Sequence, residues 1–216
     1  LKDGQALIIL AGESEKPLEK ALETTPEGVE VMLVHNLWGP QVPTMKDKNV
    51  AVVKTRRSGS LCNEFESFLY KYGAEIYQDS AEKHDLMMGV SQKLPTIISV
   101  ALAMTLSENE IAFNDIDSHS TLTSMYGILA MARVHNQNPR TYAEIMATSG
   151  DSTKIVDSFI ANLSKVSRLA AQRSIEQLED LIAKNRNRIP VEFIRTKMHQ
   201  AQAVDAVLSD IGFKGE

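Results

Sequence analysis

The sequence has one cysteine, Cys62, and nowhere two glycines separated by a single residue. The lone cysteine excludes an intrachain disulfide and fits a reducing compartment. The missing glycine spacing excludes a GxGxxG dinucleotide fingerprint within these 216 residues. No uninterrupted apolar run approaches the roughly 18 residues of a membrane span. We therefore expect a cytoplasmic chain without a membrane partner. Basic residues do not predominate: 23 Lys and Arg stand against 28 Asp and Glu, a net charge of −5, so no nucleic-acid partner is expected. His119, His135 and His199 do not share metal-ligand spacing with carboxylates or the cysteine, so no metal site is expected. The short basic runs KTRR (54–57) and KNRNR (184–188) read as solvated.

The remainder is ordinary for a globular chain. Hydrophobic residues make up 43% and charged residues 24%, enough for a core that needs no staples. ALIIL (6–10), VEVMLV (29–34), NVAVV (49–53) and AEIY (74–77) are short apolar runs of the kind found in strands covered on both faces. Helices are expected at 17–24 and about 60–71, giving an open parallel α/β sheet. From Ser80 the period changes to 3.6. Helical stretches are expected over 80–106 with a kink at Pro95, over about 119–135, after Asn138-Pro139, in one long helix after Asp151 through Leu178 and Leu181, and over 191–209. The boundary falls near residue 80, giving domains of 1–79 and 80–216. The chain opens at Leu1 in what reads as the approach to a strand, so we expect a fragment of a longer protein.

Four places carry polar side chains suited to chemistry. His35 ends the strand of VMLVHNLWGP, at the carboxyl edge where open α/β sheets bind ligands. Its near-neutral titration suits a base, although a histidine packed at a strand end would have the same sequence. Trp38, in the Gly/Pro loop that follows, could close over a ligand. Ser14 and Lys16, in AGESEKP after the first strand, project at the same edge, where Ser14 could equally cap a helix. His84, Gln92 and Thr96 share one helical face, as a core network or as a ligand site. Arg133 interrupts an apolar helix in LAMARVH and suits a grip on a carboxylate or an internal pair, perhaps with Glu144. Cys62 reads as inert core.

The order of these motifs resembles the prephenate/arogenate dehydrogenase family of tyrosine biosynthesis, over roughly residues 5–185. HNLWGP resembles the loop that carries the family's catalytic histidine, and SEK (14–16) its S-x-K segment. KHDLMMGVSQKLP resembles the helix that opens its helical domain. ARVHNQNPRTYAEI resembles the segment with its substrate-binding arginine. The resemblance implies a partial Rossmann-like sheet followed by an all-α dimerisation domain. It implies NAD or NADP as cofactor, with the glycine-rich half of the nucleotide domain lying outside this sequence. It also implies a homodimer acting on prephenate by oxidative decarboxylation. His35 and Ser14 take the catalytic places. Arg133, Lys16, Gln92, Thr96, His84 and Tyr142 take those that bind substrate, and Ser14 and Pro40 lie against the cofactor. Thr96 stands where the family has histidine, which leaves arogenate or an amino-substituted prephenate open as substrate. A non-catalytic helical dimer that keeps the pocket as a sensor is the reading from a different class.

Overall fold

The computed structural model describes residues 1–39 and 42–212. The four apolar runs form strands β1 (Ala6–Leu10), β2 (Glu30–Asn36), β3 (Asn49–Lys54) and β4 (Glu75–Gln78), side by side in that order. Helix α1 (Glu15–Thr24) follows β1 and α2 (Ser60–Lys71) follows β3. Side chains alternate between two cores, as the period of a strand requires. Met32, Val34, Val50 and Val52 pack with Cys62 and Leu69 of α2, whereas Val31, Leu33 and Val53 pack with Leu18 and Ala21 of α1. Cys62 is fully buried, as its apolar helix face implies.

One pairing departs from the parallel expectation. β1–β2 and β3–β4 are parallel, but β2–β3 is antiparallel. Parallel neighbours need a crossover, usually a helix, and the described part of the 37–48 connection has none. The continuous apolar runs reflect cover on both faces, which an antiparallel pair can share. Trp38 does not stand free in this connection; it is half-buried against the α2-side core.

Beyond β4 the chain is helical. α3 (Ala81–Met88) starts at Ser80, whose hydroxyl accepts from the Lys83 N–H. It passes through a π-helical turn, Gly89–Lys93, into α4 (Leu94–Glu108). The kink expected at Pro95 takes this form: widening the preceding turn accommodates a ring that would otherwise crowd the carbonyl four residues back. Because the turns are continuous, Ala81–Glu108 is one helix long and apolar enough, by length and composition alone, to cross a membrane. The sequence reading missed this because Ser91, Gln92 and Lys93 interrupt the apolar residues. Its buried residues include His84, Asp85, Lys93, Thr96 and Ser99, all polar.

α5 (Phe113–His119), α6 (Leu122–His135), α7 (Pro139–Ala147), α8 (Asp151–Ala171), α9 (Ile175–Arg188) and α10 (Val191–Ile211) complete the chain. α6 begins in a capping box between Thr121 and Ser124. Asn138 accepts the Arg140 N–H at the start of α7, as the Asn-Pro pair predicts. The single long helix expected after Asp151 is two. Arg173 takes a left-handed φ of 54°, and the Ser174 N–H reaches back to the Leu169 carbonyl. That closes α8 without glycine, in the manner of a Schellman turn.

Strands give way to helices at residue 80, but compactness divides the chain differently. One unit comprises Leu1–Leu94 with Ala143–Val156; the other comprises Pro95–Tyr142 with Asp157–Glu216. In the first, the buried Lys93 ammonium donates to the Thr148 carbonyl and the Thr153 hydroxyl. In the second, Tyr126 of α6 donates to Asp205 of α10 at 2.7 Å. An open groove of about 880 Å³ runs between α9 and α10, lined by Ile175, Ile182, Val191 and Ile194 among others.

Candidate active site

The parallel register of β1 and β2 sets Leu10 beside Val34, so His35 lies one residue past the end of β1. There the chain turns through Ala11-Gly12-Glu13 into α1. Gly12 lies against the imidazole: a Cβ at this position would stand 3.3 Å from His35 Cε1 and 3.4 Å from Nε2. Absence of a side chain keeps the Nε2 edge open.

Behind His35 stands α3. His84 Nε2 is 3.1 Å from His35 Nδ1, and His84 Nδ1 is 2.9 Å from Asp85 Oδ1. Gln92 Nε2 lies 3.4 Å from His35 Nε2. A carboxylate only accepts, so His84 carries its proton on Nδ1 and offers a bare Nε2. His35 therefore donates from Nδ1 and keeps Nε2 bare. The amide of Gln92, a donor, agrees from the other end. Burial first, and then His84, lower the pKa of His35 to about 4, with Asp85 opposing. His35 is thus a neutral imidazole with its acceptor nitrogen at the sheet edge.

Asp85 is the residue that the sequence reading missed. It is 3% exposed and closes the N-terminus of α1. Its Oδ1 accepts the Ser14 N–H at 2.8 Å and the Ser14 hydroxyl at 2.7 Å, and its Oδ2 accepts the Glu15 N–H at 3.0 Å. Burial alone would raise its pKa. The hydrogen bonds from Glu15, His84 and Ser14 overcome that and hold it below the ordinary carboxylate range. A helix N-terminus favours such an anion. The adjacent His-Asp pair in KHDLMMG was the available signal; which of the two would be buried depends on packing.

The structure brings together His35, His84, Gln92 and, through Asp85, Ser14. Two expected roles change. Ser14 is fully buried with its hydroxyl on Asp85, so it does not open onto the space beside His35. His84 is fully buried with both ring nitrogens engaged, and it reaches a ligand only through His35. Lys16 is exposed on α1. In the second unit Thr96 is buried on α4, Tyr142 is half-buried on α7 and Arg133 is exposed on α6. The burial cost that argued for a partner of Arg133 therefore does not arise. Pro40 lies outside the described residues.

A dinucleotide does not fit the helix starts of this sheet. The N-terminus of α1 holds Asp85, and that of α2 holds Glu30, which accepts the N–H groups of Gly59 at 3.0 Å and Cys62 at 2.9 Å. These two helix starts, each a seat of the kind that receives a pyrophosphate, are occupied by the protein's own carboxylates. Among the described residues no cluster of His, Cys, Asp or Glu could hold a metal ion.

Residues 80–184 match the family model described as prephenate dehydrogenase, dimerization domain. Over 213 residues the chain is 24% identical to a probable arogenate/prephenate dehydrogenase of Methanocaldococcus jannaschii, covering 98% of this chain and 48% of that protein. It spans about half the length of the curated relatives it matches. Its fold resembles the prephenate dehydrogenase of A. aeolicus, solved in complex with hydroxyphenyl propionate and NAD+. The TM-score is 0.65 at 16% identity, covering 89% of this chain and 67% of that one. The arogenate dehydrogenase of Synechocystis has a TM-score of 0.65 at 14% identity, covering 83% and 66%.

Proposed function

Since the chain belongs to the prephenate/arogenate dehydrogenase family, we propose that it serves the oxidative decarboxylation of prephenate in tyrosine biosynthesis. The observation that carries this reading is the bare Nε2 of His35 at the carboxyl edge of β2, beside Gly12. An acceptor there takes the proton of the substrate's ring hydroxyl as the ring is oxidised. Gln92 donates toward the same point and orients the hydroxyl. Arg133 and Lys16, both exposed cations, are the groups we assign to the substrate carboxylates.

NAD or NADP is the proposed hydride acceptor, as in the family. With the N-termini of α1 and α2 occupied by Asp85 and Glu30, the contribution we assign to this chain is the proton and the substrate. The proposed assembly is a homodimer through the helical unit. Apolar side chains there stand in the open, including Met104 at 56%, Ile182 at 69% and Val191 at 70% exposure, and a second copy would cover them. We take the apolar Ala81–Glu108 helix in the same sense, and a cytoplasmic location with it.

The test is turnover by the natural full-length product with prephenate and with arogenate, each offered NAD+ and NADP+, followed by the appearance of reduced nicotinamide. Turnover of prephenate supports the reading. Preference for arogenate would move the substrate assignment, and no turnover of either would overturn the activity.

A further inference from the structure

The hydrogen-bond chain behind His35 carries an inference about how the proton is handled, and it rests on the reading above. A base that resists its own charge is a weak acceptor, and both burial and the neighbouring His84 resist a charge on His35. Yet the ring has a second nitrogen already committed to a buried acceptor. His84 stands ready, 3.1 Å away, with a bare Nε2, and behind it lies a carboxylate fixed by three donors from Ser14 and Glu15.

We propose that His84 and Asp85 are positioning residues that relay the proton. As the substrate's hydroxyl proton arrives on His35 Nε2, the proton on His35 Nδ1 crosses to His84 Nε2. One N–H bond forms on each ring, one breaks on His35, and the substrate's O–H bond breaks. His35 leaves the step neutral, in its other tautomer. His84 leaves it as an imidazolium whose Nδ1–H remains on Asp85 Oδ1. The charge comes to rest beside a buried anion instead of at the sheet edge. The relay resets when Nε2 of His35 releases its proton to solvent and Nδ1 regains one from His84.

The surroundings are compatible with a positive charge at that point. The Asp85 carboxylate is faced by the N-terminus of α1 and by the Glu15 carboxylate. Glu82 of α3, with Asp151 and Lys154 of α8, stands around Glu15. Acidic groups outnumber Lys154, the one cation in that set.

The relay has a signature that does not depend on activity. In the 216-residue chain at neutral pH, ¹⁵N spectra of the imidazoles should show His35 protonated on Nδ1 with Nε2 bare, and His84 protonated on Nδ1. Asp85→Asn removes the obligate acceptor and should turn His35 into a mixture of tautomers; His84→Gln should do the same. The signals of His119, His135 and His199 report whether each variant remains folded. The wild-type spectrum alone decides the matter if neither variant folds: a proton on His35 Nε2 overturns the relay, as does a tautomer indifferent to both substitutions. In the full-length protein, His84→Gln should lower kcat roughly 10²-fold with KM unchanged. The readout that separates the two roles is the His35 tautomer, which a purely structural role for His84 would leave unchanged. Expected tautomers without turnover of prephenate or arogenate would sink the proposed function and leave the hydrogen-bond chain intact; turnover with the wrong tautomer would sink the relay alone.

Discussion

The Nδ1 of His35 and the Nε2 of His84 lie 3.1 Å apart with their ring planes inclined at 68°, so a single proton serves both imidazoles. This contact gives His35 a direction: one nitrogen bound inward, the other bare and outward.

Replacing His35 by Asn should lower kcat by ~10²–10⁴-fold, the usual cost of a positioned general base. Binding of a substrate analogue, measured by calorimetry, should change far less. Loss of binding with kcat intact would assign His35 to recognition instead.

Stability should also respond to His35. Its folded pKa of about 4 lies below the ordinary 6.5, so the unfolded chain takes up the proton first. The contribution is fully present above the unfolded value and is lost as pH falls from 6.5 through 4. Its size is on the order of 3 kcal/mol. Chemical denaturation of wild type and His35→Asn at about pH 7.5, 5.5 and 4, which spans that window, separates the effect of His35 from that of Asp85, whose lowered pKa acts further into acid. Equal slopes for the two proteins would remove it.

Ser14→Ala deletes a buried hydroxyl donor to the Asp85 carboxylate. A loss of about 1–3 kcal/mol is expected from such a bond, read from the denaturation midpoint. KM should stay constant, because the hydroxyl is fully buried. A raised KM with unchanged stability would return Ser14 to the substrate.

Gly12→Ala places a methyl 3.3 Å from the His35 ring, against the edge a substrate hydroxyl must approach. The fold should tolerate it with a change in Tm of only about a few degrees, while kcat/KM falls by at least ~10-fold. Unaltered kinetics would mean that substrate reaches His35 from another side.

Arg133→Ala should leave stability within roughly 0.5 kcal/mol, as expected for an exposed side chain. Its role in holding a carboxylate would appear as a raised KM and weaker binding of an analogue. No change in either would free Arg133 from the site.

Much of this was legible in the sequence because strands covered on both faces announce themselves. Val31–Val34 and Val50–Val53 are buried throughout, and such runs locate β2 and β3 to within a residue or two. Their relative direction is a property of the connection, so the antiparallel pair was not legible. The place of His35 was legible because a strand end is a position that sequence can specify. Asp85 was missed because burial of a carboxylate depends on which helix start it meets, a long-range fact: Ser14 lies 71 residues away. The break at Arg173 was hidden for a local reason. A left-handed turn there uses arginine where glycine is the usual sign, although Ser174 and Gln177 have the composition of a helix start.

The carboxylate at the head of α1 has a further consequence. A helix start offers one pocket of positive potential, and here it steadies the acid that orients the base. Added sulfate or phosphate should therefore find no vacancy at this end of the sheet. An engineer who removed Asp85 to receive a phosphate would at the same stroke release the proton register of His35. At this corner of the molecule, gripping an anion and aiming a base are mutually exclusive uses of the same few amides.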